Sequence, residues 1–589
     1  MRIIPCATAL FPFLGLAIGA SGRPGCRCLA HESCWPSKTE WQALNKTING
    51  NLVVVRPIGQ ACHDPTFDKE GCNFVTAMSE NSTWRSDQPG ALLSTNWESW
   101  PEENEACYVD SARKVPCGQG RIPRFSAIVH TPQHIQESVR FADKHNLRLV
   151  IRNTGHDFLG RSAAPESFQI FTHNMKDIKF TDDFKPEGKR GHQGVGQAVT
   201  IGAGVQLAEL YLASSKLGKT QIVGLSIGVG AAGGFIQGGG HSPLGPWKGM
   251  PTDHVLEYEV VTAKGQLVIA NDYVNRDLFW ALRGGGGGTF GVVCSVTLRT
   301  FEDVPVVASR FNFTMGGRAN ESFWGAVEKF QAFLPHISAM GGVGYYYIVP
   351  NIDFFSQPAA GLVGALWYID QDNEEKIERL YEPLFSEVRK LSGINVGHVT
   401  NVFPSSTAAF SEILTAPPNE GGGVTLLGSR LYSEKLLKSS DGPAKLTNTI
   451  SKLRFENGDT VVGHLVAGGQ VARNKHVDSA LNPSWREALV HVVLTRRWTS
   501  DTPFEEQERI HTNLTKVEVP LLAAVEPEMG AYVNEADVAE PAFQRTFWGS
   551  NYPRLALIKQ RWDPKGLFFV RSGVGSEFWD KQGLCRARK

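Results

Sequence analysis

The chain has 589 residues, 42% hydrophobic and 20% charged, an ordinary globular composition in a chain long enough for two lobes rather than one core. Its 59 lysines and arginines balance 59 aspartates and glutamates, so the basic footprint of a nucleic-acid binder is missing. Past the N-terminus no segment is long and apolar enough to cross a bilayer.

Residues 1–20 read as an export signal. Arg2 gives a basic start, the stretch 3–20 is apolar, and Gly19, Ala20 and Ser21 offer small residues for cleavage. A retained anchor is the alternative, disfavoured by Pro5 and Pro12 inside the stretch. The expected location is outside the cell or in the secretory lumen.

Residues 21–120 are rich in cysteine, proline and tryptophan, with little clear periodicity. Cys26, Cys28, Cys34, Cys62, Cys72, Cys107 and Cys117 all fall here, and such crowding in an exported chain points to disulfides. Their connectivity stays open. Cleavage removes Cys6 from the ten cysteines, so the odd remainder leaves at least one thiol unpaired, and Cys294, in the apolar run 291–298, is the best candidate. A zinc site using His31 or His63 is the rival, but the usual paired ligand spacings are absent and no metal is expected. Asn45, Asn81, Asn312, Asn320 and Asn513 open glycosylation sequons.

From residue 121 the pattern sharpens. A strand is expected at 125–130. Thr131 then caps a helix with Pro132 in its first turn and Ile135, Val139 and Ala142 along one face. A strand at 147–151 runs straight into a polar turn. A second unit follows, with a strand at 199–202 and a helix at 206–217 that ends at Gly218. Strands at 257–262 and 266–270 read as a hairpin, and 277–282 as a short helix. From 304 to 525 strand and helix signals mix. The stretch 526–580 is strongly patterned again and is expected to return to the lobe spanning 121–303.

Glycine gathers in three stretches: LVIRNTGHDFLGRS at 149–162, SIGVGAAGGFIQGGGH at 226–241, and GGGGGTFGVV at 284–293. Bare backbone of this kind lets N–H groups approach phosphate oxygens, and three such stretches in one lobe suggest a long phosphate-bearing cofactor. Ordinary loops are the plainer reading of any one of them. GVGAAG at 228–233, with Asp253 downstream, imitates a dinucleotide fingerprint. The glycines at 238–240 and Pro243 and Pro246 leave no room for the helix that the fingerprint requires, so a Rossmann unit is not expected.

The run at 149–162 resembles the flavin attachment segment of the vanillyl-alcohol-oxidase superfamily, in its fungal berberine-bridge-enzyme-like branch. The likeness continues through GFIQGGGHS at 234–242, residues 281–293, YVN at 532–534, and FWGSNYPRL at 547–555 with WDP at 562–564. The resemblance implies an α+β, two-lobed fold: a PCMH-type FAD-binding domain and a substrate domain built on an antiparallel sheet. It implies an FAD-linked oxidoreductase with His156 carrying FAD covalently, an imidazole being nucleophilic when neutral. Arg152, Asn153, Thr154, Gly155, Asp157, Gly160, Arg161 and Ser162 would surround the pyrophosphate. Ser226, Gly228, Val229, Gly230, Gly233 and Gly234 would lie along the cofactor, and Gly291, Val292 and Val293 near its ADP end. Tyr532 is the implied catalytic residue, with Asn534 beside it.

One departure stands out. Many relatives attach flavin a second time through a cysteine; counting back from Gly233, that position is Ile227, with Ser226 adjacent and no cysteine near. Single attachment is therefore expected. The small Val229 and Gly230 fall where oxygen access is controlled in plant relatives. The implied reaction is hydride transfer from a small secondary metabolite to flavin N5, with O2 as acceptor. A carbohydrate oxidase is the alternative, and a non-catalytic flavin-binding protein a third reading. Tyr345, Tyr346, Tyr347, Tyr432, His464 and His491 also lie in the expected substrate lobe, where packing or solvent exposure is the plainer reading of each.

Overall fold

The structure, a computed structural model, describes residues 25–418 and 421–587. The expected signal at 1–20 lies outside the described residues. The cysteine-rich segment is more ordered than its composition suggests. Ser37 and Glu40 form a reciprocal capping box on the helix Lys38–Thr47, satisfying N–H groups that the first turn leaves open. That helix buries Trp41, which stacks on Phe125 at 4.1 Å between ring centroids.

Four disulfides are present among the described residues: Cys28–Cys34, Cys62–Cys72, Cys107–Cys117 and Cys26–Cys585. The last joins the two ends of the described chain, 559 residues apart in sequence. Cys294 is the free, buried cysteine among the described residues. All seven cysteines of the crowded segment are tied up in these disulfides. His63 spends both ring nitrogens on backbone carbonyls, those of Val115 at 2.8 Å and Tyr108 at 2.9 Å.

Three larger sheets carry the α+β fold. In the first, Leu52–Val54 pairs antiparallel with Phe125–Ile128, which lies parallel to Ser167–Phe171, itself parallel to Arg148–Arg152. Thr131 caps the helix Pro132–Lys144 as expected, and Ile135, Val139 and Ala142 are buried against this sheet. The second sheet is antiparallel, ordered Ile178–Thr181, Ala198–Gly202, Val292–Arg299, Val255–Val261, Leu267–Asn271. The expected hairpin forms its edge. No Rossmann unit forms at 228–233: a short helical turn, Ala231–Phe235, is kinked at Gly233 and follows no strand. Asp253 instead makes a two-pronged ion pair with Arg486, at 2.9 and 2.7 Å.

The third sheet has seven antiparallel strands, ordered Asn395–Phe403, Val306–Gly316, Gln357–Ile369, Gly342–Phe354, Val461–Leu465, Ala488–Arg496, Leu426–Ser433. Strand side chains alternate between faces. Tyr346 packs on Phe330 of the helix Glu321–Ala339, at 4.9 Å, so its neighbour Tyr345 faces the opposite side. Register then lines up Tyr345 with His464 and His464 with His491 across three adjacent strands. One row of polar rings thus looks away from the helices.

Candidate active site

The strand Arg148–Arg152 delivers the polar turn 153–162 to the wall of a groove that all three glycine stretches help to line. Asp157 organises this turn. Its carboxylate accepts from the Ser162 N–H at 2.6 Å, the Ser162 hydroxyl at 2.9 Å and the Leu159 N–H at 3.2 Å. Asn153, Thr154, Gly155, His156, Asp157, Arg161 and Ser162 all line the groove. From the second glycine stretch come Val229, Gly230, Gly233 and Gly234, and from the third Gly291 and Val293.

Other expected residues sit behind the lining. Arg152 is fully buried, donates to the Arg85 and Gln88 carbonyls, and lies over the Phe171 ring; burial pushes its guanidinium down to about 9. It props the loop rather than facing the groove. Gly160 packs against Trp97, where a Cβ would come within 2.5 Å of the ring. Gly228 touches His156 from the side, Val292 is buried in its strand, and Ser226 stands outside the lining. Thr172, Ala203, Phe235, Gln237, Gly287 and Val570 line the groove without having been expected. Gly287 belongs to a run whose glycine content marked it. Val570 is brought in by the tail, which the Lys559 amine clamps to the Thr289 carbonyl at 2.6 Å and to Asp563 at 2.7 Å.

The groove fits a flavin nucleotide in its donor set. His156 Nε2 is buried yet has no hydrogen-bond partner, which is costly unless something occupies the groove. Burial, with Arg152 nearby, pushes the imidazole down to about 4, so at neutral pH it is an uncharged, open nitrogen. The glycines opposite are required by space. A Cβ on Gly228 would lie 2.6 Å from His156 Nε2, and one on Gly230 would lie 2.2 Å from Asn153 Oδ1.

Tyr532 and Asn534 stand outside the groove lining but are tied to it through Gly234 and Arg161. Asn534 Nδ2 donates to the Gly234 carbonyl at 2.9 Å and to the Tyr532 hydroxyl oxygen at 2.7 Å, while its Oδ1 accepts from Arg161 at 2.9 Å. Burial, then the charge of Glu535, raises the Tyr532 hydroxyl far above the usual tyrosine range. Beyond Tyr532 lies a cluster drawn from distant parts of the chain. His241 Nε2 meets Glu535 Oε1 at 3.0 Å, and the His241 ring lies 5.5 Å from that of Tyr532. His491 Nδ1 and His464 Nδ1 are 3.3 Å apart. Burial opposes the Glu535 charge, yet His241 and His464 hold the carboxyl below its ordinary range. Burial drives His464 and His491 well below the usual imidazole range.

Packed, inert surroundings hold for Tyr346 and for Tyr432, whose hydroxyl donates to the Leu522 carbonyl at 2.8 Å, and Tyr347 is exposed. They do not hold for Tyr345, His464 and His491, which gather beside Tyr532 and Glu535. Glu535 itself carried no sequence signal beyond its place next to Asn534.

Residues 123–271 match the FAD binding domain family, and 531–575 the berberine and berberine-like family. The chain is 62% identical, over 100% of both proteins, to an uncharacterized FAD-linked oxidoreductase of Arthroderma benhamiae. It is 40% identical to the FAD-linked oxidoreductase malF of Malbranchea aurantiaca, covering 98% of this chain and 97% of malF. Among solved structures, a VAO-type flavoprotein of Myceliophthora thermophila C1 superimposes with a TM-score of 0.85 at 31% identity, over 95% of this chain and 100% of that one. With the groove, the antiparallel sheet and the returning tail in place, the chain belongs to the FAD-linked oxidoreductases of the vanillyl-alcohol-oxidase type that carry a berberine-like C-terminal segment.

Proposed function

We propose that this enzyme is a secreted oxidase that holds FAD through a single covalent bond to His156 and oxidises or oxidatively cyclises a small secondary metabolite, with O2 as the acceptor. The observation that carries the reading is the neutral, buried and unpartnered Nε2 of His156 at the wall of the groove. Cys294, the one free thiol described, is buried in its strand, and burial raises it out of the nucleophilic range. Ile227 stands where relatives carry a second attachment, so one bond is the expected number. The missing second attachment cysteine counts mildly against the carbohydrate-oxidase alternative.

Bound FAD supplies the hydride acceptor and the site of reoxidation. The protein's share is positioning and proton handling. Asp157 and Arg161 fix the turn that carries His156, and Asn534 ties Tyr532 to the groove wall. Tyr532, protonated at neutral pH, hydrogen-bonds the substrate oxygen as a donor. The substrate proton leaves toward the His241–Glu535 pair that borders the Tyr532 ring. Peptide mapping of the digested protein tests the attachment: FAD mass belongs on the peptide bearing His156, and on that one alone. Flavin on another residue, or none, refutes it. Intact mass of protein collected from culture medium tests export, with a mature start near residue 21 expected.

A further inference from the structure

Three Lewis-basic atoms face one another beyond Tyr532 with too few protons between them. His464 Nδ1 lies 3.3 Å from His491 Nδ1 and 3.5 Å from Glu535 Oε2, and His491 Nδ1 lies 3.7 Å from the same oxygen. A neutral imidazole carries one N–H. If neither Nδ1 is protonated, three lone pairs converge. If one is, the other imidazole still points a lone pair at the carboxylate. If both are, two N–H groups collide. The best arrangement without an ion, one Nδ1–H shared between the two rings, still leaves the His491 or His464 lone pair facing the carboxylate, and Glu535 Oε2 accepts no hydrogen bond. A cation at the centre satisfies all three donors at once.

The spacing fits a particular kind of cation. A tetrahedral ion capping three donors 3.3, 3.5 and 3.7 Å apart lies about 2.1 Å from each, within the length of zinc–nitrogen and zinc–oxygen bonds, roughly 2.0–2.2 Å. Two imidazoles and one carboxylate suit zinc or a neighbouring first-row ion, not calcium or magnesium, which take oxygen ligands. The outer support is also present: His241 Nε2 holds the other carboxylate oxygen of Glu535 at 3.0 Å, as second partners orient metal ligands elsewhere. The sheet fixes the two histidines, because His464 and His491 are direct cross-strand partners.

We propose that His464, His491 and Glu535 form a site for one divalent transition-metal ion of the zinc class, with His241 positioning the carboxylate. Three protein ligands leave one tetrahedral position free, the pattern of catalytic rather than structural zinc. That position takes an oxygen donor, so the class of ligand implied is an alcohol, ketone or carboxylate. Entry passes His241, His464 and Glu535, whose side chains are 11%, 11% and 18% exposed, whereas His491 is closed off. The site adjoins the groove, since Asn534, next to Glu535, bonds the Gly234 carbonyl.

The test uses the full-length purified protein, dialysed against a chelator and then titrated with Zn2+ alone and with Co2+ alone. Metal bound per chain is read by mass spectrometry of the desalted protein, and Co2+ by its visible bands beyond the flavin absorption. One equivalent is expected, with the Co2+ bands of a four-coordinate ion. Glu535→Gln and His464→Ala should weaken binding by at least about 100-fold, and His241→Ala by about 10–100-fold. Folding of each variant is checked by its thermal melt. Wild-type protein that takes up no metal in the micromolar range overturns the proposal, and so does wild-type affinity in Glu535→Gln. The flavin reading is separate: metal bound by protein without flavin supports this site and refutes that reading, and flavin without metal does the reverse.

Discussion

Gly228 shows how much a missing side chain can decide. Its backbone lies against the reactive edge of His156, and a methyl group there would sit 2.6 Å from Nε2. Gly228→Ala should therefore displace the imidazole, at an overpacking cost of about 1–3 kcal/mol. Sub-stoichiometric covalent flavin is expected, read from the absorbance ratio of denatured protein, with little change in expression. Full flavin loading would show that His156 has more freedom than the packing indicates. At this scale the sequence was most informative where residues are adjacent. The turn 153–162 is one continuous segment, so its groove-facing members were legible together. The resemblance implies a cofactor contact for Arg152, but its side chain runs to the buried side, toward the Arg85 and Gln88 carbonyls, which no local pattern reveals. His241, His464, His491 and Glu535 are separated by up to hundreds of residues, and only the folded sheet brings them together.

Helices and strands with strong local signals were read correctly, and each signal has a physical cause. Thr131 and Pro132 start a helix because the hydroxyl accepts from the His134 N–H, and Gly218 follows a helix end with φ +64°. Thr131→Ala should lower stability by about 1 kcal/mol, visible as a small fall in melting temperature without loss of flavin. The N-terminal segment was underestimated. Ser37 and Glu40 carry a capping-box spacing that announces a helix, but cysteine and tryptophan masked the periodicity around it. The pairing of Cys26 with Cys585 was beyond sequence reasoning, since the seven crowded cysteines suggested partners within their own segment. Cys585→Ser should cost about 2–5 kcal/mol, the usual loss for a native disulfide. Differential scanning should show this as a lower transition while the visible spectrum is unchanged, and an unaltered melt would mean that the two ends are held by other contacts.

One apolar core spans the glycine-rich lobe, the seven-stranded sheet and the tail, and buried ion pairs cross it between distant parts of the chain. Arg486 and Asp253 join the seven-stranded sheet to the glycine-rich lobe with both side chains nearly enclosed. Burial opposes the charge on Asp253, but the hydrogen bonds and charge of Arg486 outweigh it and hold the carboxyl below its ordinary range. Arg486→Ala would strand that carboxylate and should cost about 3–5 kcal/mol. Acid should weaken the fold for a related reason. His254 and His511 are pushed down to about 4, chiefly by burial. Unfolded histidines bind protons near pH 6.5 and these do not, so their contribution is fully present above that pH and is lost as pH falls toward 4. Asp537, raised to about 6 by burial, acts in the opposite sense and only partly offsets them. The melting temperature should therefore rise with pH between 4 and 6.5, and a flat or falling profile would contradict the buried, neutral state of these rings.

Acid precipitation of the purified protein, beside His156→Ala, tests the covalent flavin most directly. The wild-type pellet should stay yellow and fluoresce, and the variant pellet should be colourless, because no other described nucleophile stands open in the groove. Flavin released entirely into the wild-type supernatant, or retained by the variant pellet, would contradict attachment at His156.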